Sequence, residues 1–379
     1  MNTRRARHAV GFVFLLLGSL VGVWATRIPD IKQLLGLDDA AFGLLLLAMA
    51  IGAVIGIPIS GYLMDRYGAA YITKVASVFI LFVFSAIPLG ASVLYLVPII
   101  FIVGFCIGTL DVSMNGWGAE VEQALKQPVM SSYHGLFSLG AGLGAGGGAL
   151  AIWLGFSVAV HFSSWCMLMA LPLVLVLRTS WLSETRNEPD TKSPLFVFPK
   201  GALLFVAIMA LIAALAEGAV TDWAALYQIQ ELGFESSLAA IGFAVFSVAM
   251  VVMRFVGDHL IARFGPVRVA RISGIAAFVG ASLLVWGDGI WMVWIGCAVM
   301  GLGNAVLFPL AMSRAAADPT MSKGAALASV AMLAYGAFLF GPPMLGFIAD
   351  AMSLRASFAF VACLALLLPM LAGALKVAR

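Results

Sequence analysis

Gly61-Tyr62-Leu63-Met64-Asp65-Arg66-Tyr67-Gly68 stands between the second and third apolar stretches of the chain. A worn copy returns between the eighth and ninth, as Gly257-Asp258-His259-Leu260-Ile261-Ala262-Arg263-Phe264-Gly265. Arg66, Tyr67 and Gly68 align with Arg263, Phe264 and Gly265 at a constant offset (263 − 66 = 197). Ala262 stands where Asp65 stands, and the acid of the second copy has moved to Asp258. The chain therefore reads as one plan written twice, with the cut near residue 195. Whole-unit repeats of this kind are built into many membrane proteins.

Composition supports a membrane chain. Hydrophobic residues make up 63% of the sequence and charged residues 10%, with a mean hydropathy of +1.08. A soluble domain carries roughly 25% charged residues. No polar stretch in the 379 residues is long enough to form a separate soluble domain. The net charge of +3 is spread by side rather than gathered into a nucleic-acid patch, so no nucleic-acid partner is expected. Cys106, Cys166, Cys297 and Cys363 fall inside predicted helices without metal-ligand spacing and read as reduced packing residues. The sequence has no phosphate-binding loop, zinc spacing or nucleophile elbow, so neither an enzyme nor a cofactor is expected.

A membrane-spanning helix needs roughly 20 mostly apolar residues. Twelve candidates satisfy this, an all-α integral membrane class: about 8–29, 39–62, 71–90, 93–115, 129–155, 158–178, 201–229, 236–257, 268–287, 290–313, 323–350 and 355–376. Twelve spans leave both termini on one side. That side collects eighteen of the 21 Lys and Arg residues, and the other keeps only Arg27, Lys32 and Arg355. The positive-inside rule then places both termini in the cytoplasm. The expected domains are a six-helix half over 1–179, a linker over 180–200 and a second half over 201–379, related by a pseudo-two-fold axis. The linker's Glu184, Arg186, Asn187, Glu188, Pro189, Asp190 and Lys192 give it the composition of a mobile cytoplasmic connection. Arg4, Arg5 and Arg7 before an apolar run imitate a signal peptide. The run is too long for one, and Val23-Trp24-Ala25 is a poor cleavage site, so an uncleaved first helix is expected.

Ionisable residues inside apolar spans are functional candidates by default. Glu217 lies past the middle of helix seven, with Thr221 and Gln228 on its face at i+4 and i+11, a polar stripe expected to face the axis of the molecule. A carboxylate that only bonds a neighbouring helix is the alternative. Asp222, five residues on, points elsewhere and nearer the interface. Asp111 on helix four has Gly108 and Asn115 near it on one face, and His134 on helix five shares a face with Ser131 and Ser138. Asp111 and His134 lie at similar depths on consecutive antiparallel helices, so they are placed to meet; histidine titrates near neutrality. Arg27 ends helix one, where pairing with Asp30 or Asp222 competes with capture of a carboxylate. Trp24 and Trp223 stand near the outer ends of helices one and seven, either gating a mouth or sitting at the membrane interface. Asn304 in helix ten joins the candidate binding set. Gly140, Gly144 and Gly148 form overlapping Gly-x-x-x-Gly steps that allow close helix contact, and Gly341-Pro342-Pro343 reads as a kink in helix eleven. Glu120 and Glu122, with Arg254, Asp258 and Arg314, lie at the cytoplasmic face, where pairing among them would lock that side.

The pattern Gly-x-Leu-x-Asp-Arg-x-Gly between helices two and three resembles the signature of the major facilitator superfamily, and the resemblance spans the whole chain. It implies a secondary transporter of two six-helix halves that rock about a central site. It also implies that Gly61, Asp65, Arg66 and Gly68, with Asp258, Arg263 and Arg314 in the second half, act in gating. Trp24-Ala25-Thr26-Arg27-Ile28-Pro29, Asp111-Val-Ser-Met-Asn115 and Ser132-Tyr133-His134-Gly135 look like the fucose-permease-like branch, which includes bacterial rhizopine-transport-like proteins. That likeness implies a monomeric, proton-coupled carrier of a small polar solute such as a sugar or inositol derivative in the bacterial inner membrane, with an acid on helix four at Asp111. The branch's acid on helix one is absent here. An antiporter of amphipathic compounds and, further off, a lipid flippase or a membrane sensor are the other classes the sequence leaves open.

Overall fold

The computed structural model describes residues 2–36, 39–90, 92–185 and 197–376. The elements are α1 (Thr3–Leu35), α2 (Asp39–Tyr67), α3 (Ala69–Ala86), α4 (Val93–Leu125), α5 (Met130–Trp153), α6 (Val158–Leu177), α7 (Ala202–Gln230), α8 (Ser236–Phe264), α9 (Pro266–Trp286), α10 (Ile290–Asn304), α11 (Leu307–Ala316), α12 (Lys323–Ala351), α13 (Leu354–Ala365) and α14 (Leu368–Leu371). Among the described residues there is no strand, and twelve segments are long and apolar enough to cross a membrane. The tenth of these joins α10 and α11, and the twelfth joins α13, α14 and a last 3-10 turn. Pro309 explains the break in the tenth: it lacks the N–H that the Ala305 carbonyl would receive in a continuous helix.

Several helices outrun their apolar windows. α4 continues to Leu125, carrying Glu120 and Glu122 inside the helix rather than after it. Hydropathy ends where polar side chains begin, but the backbone ladder does not, and at roughly 1.5 Å per residue such a helix exceeds the bilayer core. The repeated motif shows the same effect. Gly61 to Tyr67 form the last turns of α2, and Gly257 to Phe264 those of α8, so each connection shrinks to one glycine. Gly68 has φ 88° and ψ 144°; Gly265 has φ 79° and ψ 156°. The two turns thus repeat in backbone conformation, at values that favour glycine.

The packing divides into two compact units. The first comprises Met1–Lys126, Tyr133–Val197 and Met321–Ala328; the second comprises Gln127–Ser132, Phe198–Thr320 and Ser329–Arg379. In the first unit helices approach backbone to backbone. A Cβ on Gly52 would stand 2.1 Å from the Phe101 carbonyl oxygen, and one on Gly104 1.9 Å from that of Met49, joining α2 to α4. Gly18 and Gly22 meet the Phe137 and Ala141 carbonyls, while Gly140 and Gly144 meet those of Leu15 and Ser19, joining α1 to α5. Gly148 lies against Thr26, so the expected glycine steps on α5 are packing surfaces. In the second unit Gly301 lies against the Phe246 carbonyl, joining α10 to α8. Tyr227 donates its hydroxyl to the Leu284 carbonyl at 2.7 Å, joining α7 to α9.

Candidate functional site

Two carboxylates hold helix starts. Within the first unit, Asp65 at the end of α2 accepts the Gly324 N–H at 2.9 Å and the Ser322 hydroxyl, at the first turn of α12. A bare α12 N-terminus carries unpaired N–H groups and the positive end of the helix dipole, and a carboxylate satisfies both. The approach requires glycine: a Cβ on Gly61 would come within 2.6 Å of the Gly324 carbonyl oxygen. Within the second unit, Asp258 in α8 accepts the Ser131 N–H at 3.0 Å and the Ser132 N–H at 2.8 Å, at the first turn of α5. The Ser131 hydroxyl donates to the Arg254 carbonyl at 2.7 Å. Arg66 and Arg263 are exposed and lie over the Tyr67 and Phe264 rings, 5.2 and 5.3 Å from the centroids.

A polar chain crosses from α4 to α5 in the first unit. Asn115 donates Nδ2–H to the Asp111 main-chain carbonyl at 2.8 Å and faces the Asp111 carboxylate at 3.4 Å. On its other side, Asn115 Oδ1 stands 3.2 Å from His134 Nε2. Oδ1 can only accept, so Nε2 carries the proton of that bond. Phe14 packs edge-on to the imidazole, its centroid 5.1 Å away. Asp111, Asn115 and His134 are all buried. Asn115 thus touches both Asp111 and His134, the two residues expected to meet.

Glu217 in α7 faces Arg254 in α8 at 3.4 Å, with 35% of the Glu217 side chain exposed and 9% of Arg254. Arg254 is one turn from Asp258 on the same helix, and its main-chain carbonyl accepts the Ser131 hydroxyl. Thr221 lies on the Glu217 face and donates its hydroxyl to the Glu217 carbonyl. Gln228 is separate from them: it is fully buried and donates to the Ala224 and Ala239 carbonyls at 3.0 and 3.1 Å, joining α7 to α8. Asn304 donates to the Ala213 carbonyl at 2.8 Å, fixing the end of α10 on α7.

Arg27 is tied on three sides, to Asp30 at 2.9 Å, to the Phe156 carbonyl at 2.8 Å and to His161 Nδ1 at 3.2 Å. Of the two pairings expected for Arg27, the one with Asp30 is present. Trp24 is buried in α1. Trp223 lines a cleft in the second unit with Leu215, Asp222, Phe338, Gly341 and Pro342.

Two contacts escaped sequence reasoning. Glu120, buried near the end of α4, accepts from Trp181 at 2.8 Å, from Ser183 at 2.7 Å and from Lys323 at 3.4 Å. Its partners lie 61, 63 and 203 residues away, beyond any local pattern. Arg186 to Asp190 and Lys192 of the linker lie outside the described residues. The second is Arg314, which pairs with Asp318 four residues on at 2.9 Å rather than with the acids of α4 or α8. Burial works to raise the Asp318 carboxyl, but hydrogen bonds from the Thr320 hydroxyl and N–H, with the Arg314 guanidinium, hold it below its ordinary value.

The chain as a whole is similar to known proteins. The profile of the Major Facilitator Superfamily matches residues 9–319 and 207–379. An uncharacterised transporter of Sinorhizobium fredii, y4wD, is 40% identical over 363 residues, covering 96% of both chains. The membrane protein MosC of Rhizobium meliloti is 27% identical over 357 residues, covering 93% of this chain and 86% of its own. The crystal structure of FucP, a superfamily transporter in the outward conformation, superposes with a TM-score of 0.76 at 15% identity, over 98% of this chain and 99% of that one. At that identity the likeness is one of fold. The chain is a multi-pass membrane protein and belongs to the major facilitator superfamily of transporters.

Proposed function

We propose that this transporter is a proton-coupled carrier of a small polar solute, working by alternating access in the inner membrane as a monomer with both termini cytoplasmic. The observation that carries the reading is the buried chain Asp111–Asn115–His134. It places two titratable groups in apolar spans, with the Asn115 amide within hydrogen-bond reach of each. An ionisable group at that depth is costly, and such groups mark ion and substrate pathways. Glu217 supports the same reading: a half-exposed carboxylate, paired with Arg254, offers water or solute an acid on α7. The Asp65 and Asp258 contacts are read as latches that hold the first turns of α12 and α5 in one state and release them in the other. The helix-one acid of the fucose-permease-like branch is missing, which weighs against fucose itself as the solute.

The test is proton movement. Proteoliposomes loaded with a pH-sensitive dye are challenged with sugars, polyols and their derivatives under a solute gradient. A symporter carries protons inward with the solute. Proton exit on solute entry would mark an antiporter, and solute transport without proton movement would remove the coupling.

A further inference from the structure

His161 stands in the first turn of α6, 2% exposed, and its imidazole faces the far end of α1. Phe162 and Trp165 pack edge-on to the ring, their centroids 5.8 and 6.4 Å away, and hold its plane. Nδ1 lies 3.2 Å from Arg27 Nε. A guanidinium can only donate, so Nδ1 accepts, and the ring is neutral with its one proton on Nε2. Nε2 is buried and has no partner among the described residues. Among those residues the bond from Arg27 is therefore the one polar tie of the imidazole.

Arg27 is the hub of a clasp. Its other nitrogens donate to Asp30 at 2.9 Å and to the Phe156 carbonyl at 2.8 Å. One buried side chain thus ties the end of α1 to α6 and to the connection between α5 and α6. Asp30 is the acid of this cluster, and it faces the guanidinium, not the imidazole. The other elements packed on α6 bring no charge to this end. α3 has one charged side chain, Lys74, which donates to the Thr179 carbonyl just past the opposite end of α6. The turn Ile87–Leu89 has none. α5 meets Trp165 through Gly147, and its titratable side chains, Tyr133 and His134, lie near its opposite end.

A second proton on the imidazole can go only to Nδ1, whose lone pair Arg27 occupies. Proton and guanidinium therefore exclude each other. Charging the ring also sets two cations side by side with no carboxylate between them. The geometry points to His161 as a proton-binding site that controls the clasp: acid protonates Nδ1, expels Arg27 and frees the end of α1 from α6. The clasp holds above the ordinary histidine value of about 6.5 and weakens as pH falls below it. The site is separate from the Asp111–Asn115–His134 chain and independent of which solute is carried.

The experiment uses the full-length protein in lipid nanodiscs, with histidine and arginine labelled with nitrogen-15, titrated from about pH 8 to about pH 5 across the histidine range. The His161 signals are identified by their loss in His161→Asn and by their contact with the Arg27 Nε–H. Asparagine keeps an acceptor near the place of Nδ1 and does not titrate. In parallel, Gln33→Cys and Leu154→Cys carry spin labels in a Cys363→Ser background, because Cys363 is exposed and the other three cysteines are buried. At the upper pH the ring is expected to carry its proton on Nε2 and to accept from Arg27 at Nδ1. At the lower pH it should be doubly protonated, the Arg27 contact should be lost, and the distance between the labels should lengthen. In His161→Asn that distance should not respond to pH. A proton on Nδ1 at the upper pH, a ring still neutral at the lower one, or an Arg27 contact that survives protonation overturns the inference. So do labels that keep their distance when the ring charges, or that separate equally in His161→Asn.

Discussion

Asp258 receives the main-chain N–H of Ser131 at 3.0 Å, and in doing so it takes the part that Asp65 plays toward Gly324 at 2.9 Å. By the repeat offset Asp258 stands at the position of Gly61 (258 − 197 = 61), one helical turn before the place of Asp65. Residues four apart share a helix face, so the acid can move by a turn and still reach a neighbouring helix start. Ala262 is thus a displacement of the motif, not a loss of its chemistry.

The first prediction concerns these two carboxylates. Asp65→Asn and Asp258→Asn keep shape and one acceptor but remove the charge from a helix N-terminus, worth about 0.3–2 kcal/mol. Each should lower turnover several-fold while changing solute affinity little. Initial transport rates against concentration in proteoliposomes separate the two. Wild-type turnover in either variant at normal expression would remove that residue from the cycle.

Helix packing gives a second. A Cβ at Gly104 would lie 1.9 Å from the Met49 carbonyl oxygen, whereas one at Gly142 meets nothing within 4 Å. Gly104→Ala should destabilise by about 1–3 kcal/mol through overpacking. Gly142→Ala should be neutral or stabilising by up to about 1 kcal/mol. Thermal unfolding in detergent checks both, and equal melting temperatures would contradict the backbone contact between α2 and α4.

The third concerns pH. The Asp318 carboxyl is held below its ordinary value in the folded chain. Its stabilisation is therefore present above the unfolded value of about 4 and is lost as pH falls through the lower folded value. Asp318→Asn should cost about 1 kcal/mol at neutral pH, and the gap to wild type should close at the acid end. Melting temperature against pH reads this; a gap that widens with acid would reverse the sign.

Topology gives a fourth. Under the positive-inside rule the Lys and Arg asymmetry predicts a cytoplasmic Asn187. A cysteine placed there should resist an impermeant thiol reagent in intact cells and react once they are permeabilised. Ready labelling in intact cells would invert the orientation.

Much of the fold was legible because a bilayer imposes it. Roughly 20 apolar residues in a row have few other uses, and the positions of the twelve spans follow. Their ends were less legible, since α4 and α8 continue as helices past the point where polar side chains begin. Within the repeated motif Gly68 and Gly265 make the turns, while Gly61 lies inside α2 and gives α12 room. Within the site, periodicity paired Glu217 with Thr221 and brought Asp111 near His134. It could not show the bond between Asn115 and His134, nor the hold of Asp258 on α5, because 127 residues separate Asp258 from Ser131. Helical spacing put Gln228 on the Glu217 face, but the burial of Gln228 against α8 is a tertiary fact.

The central claim is that the Asp111–Asn115–His134 chain carries the proton. Asp111→Asn retains the shape and removes the titration. The direct measurement is proton uptake by dye-loaded proteoliposomes beside solute counterflow in the same preparation. The variant should lose gradient-driven accumulation and proton movement, and keep exchange of solute across the membrane. Proton uptake at the wild-type ratio in Asp111→Asn would contradict the account and move the proton to Glu217 or out of the cycle.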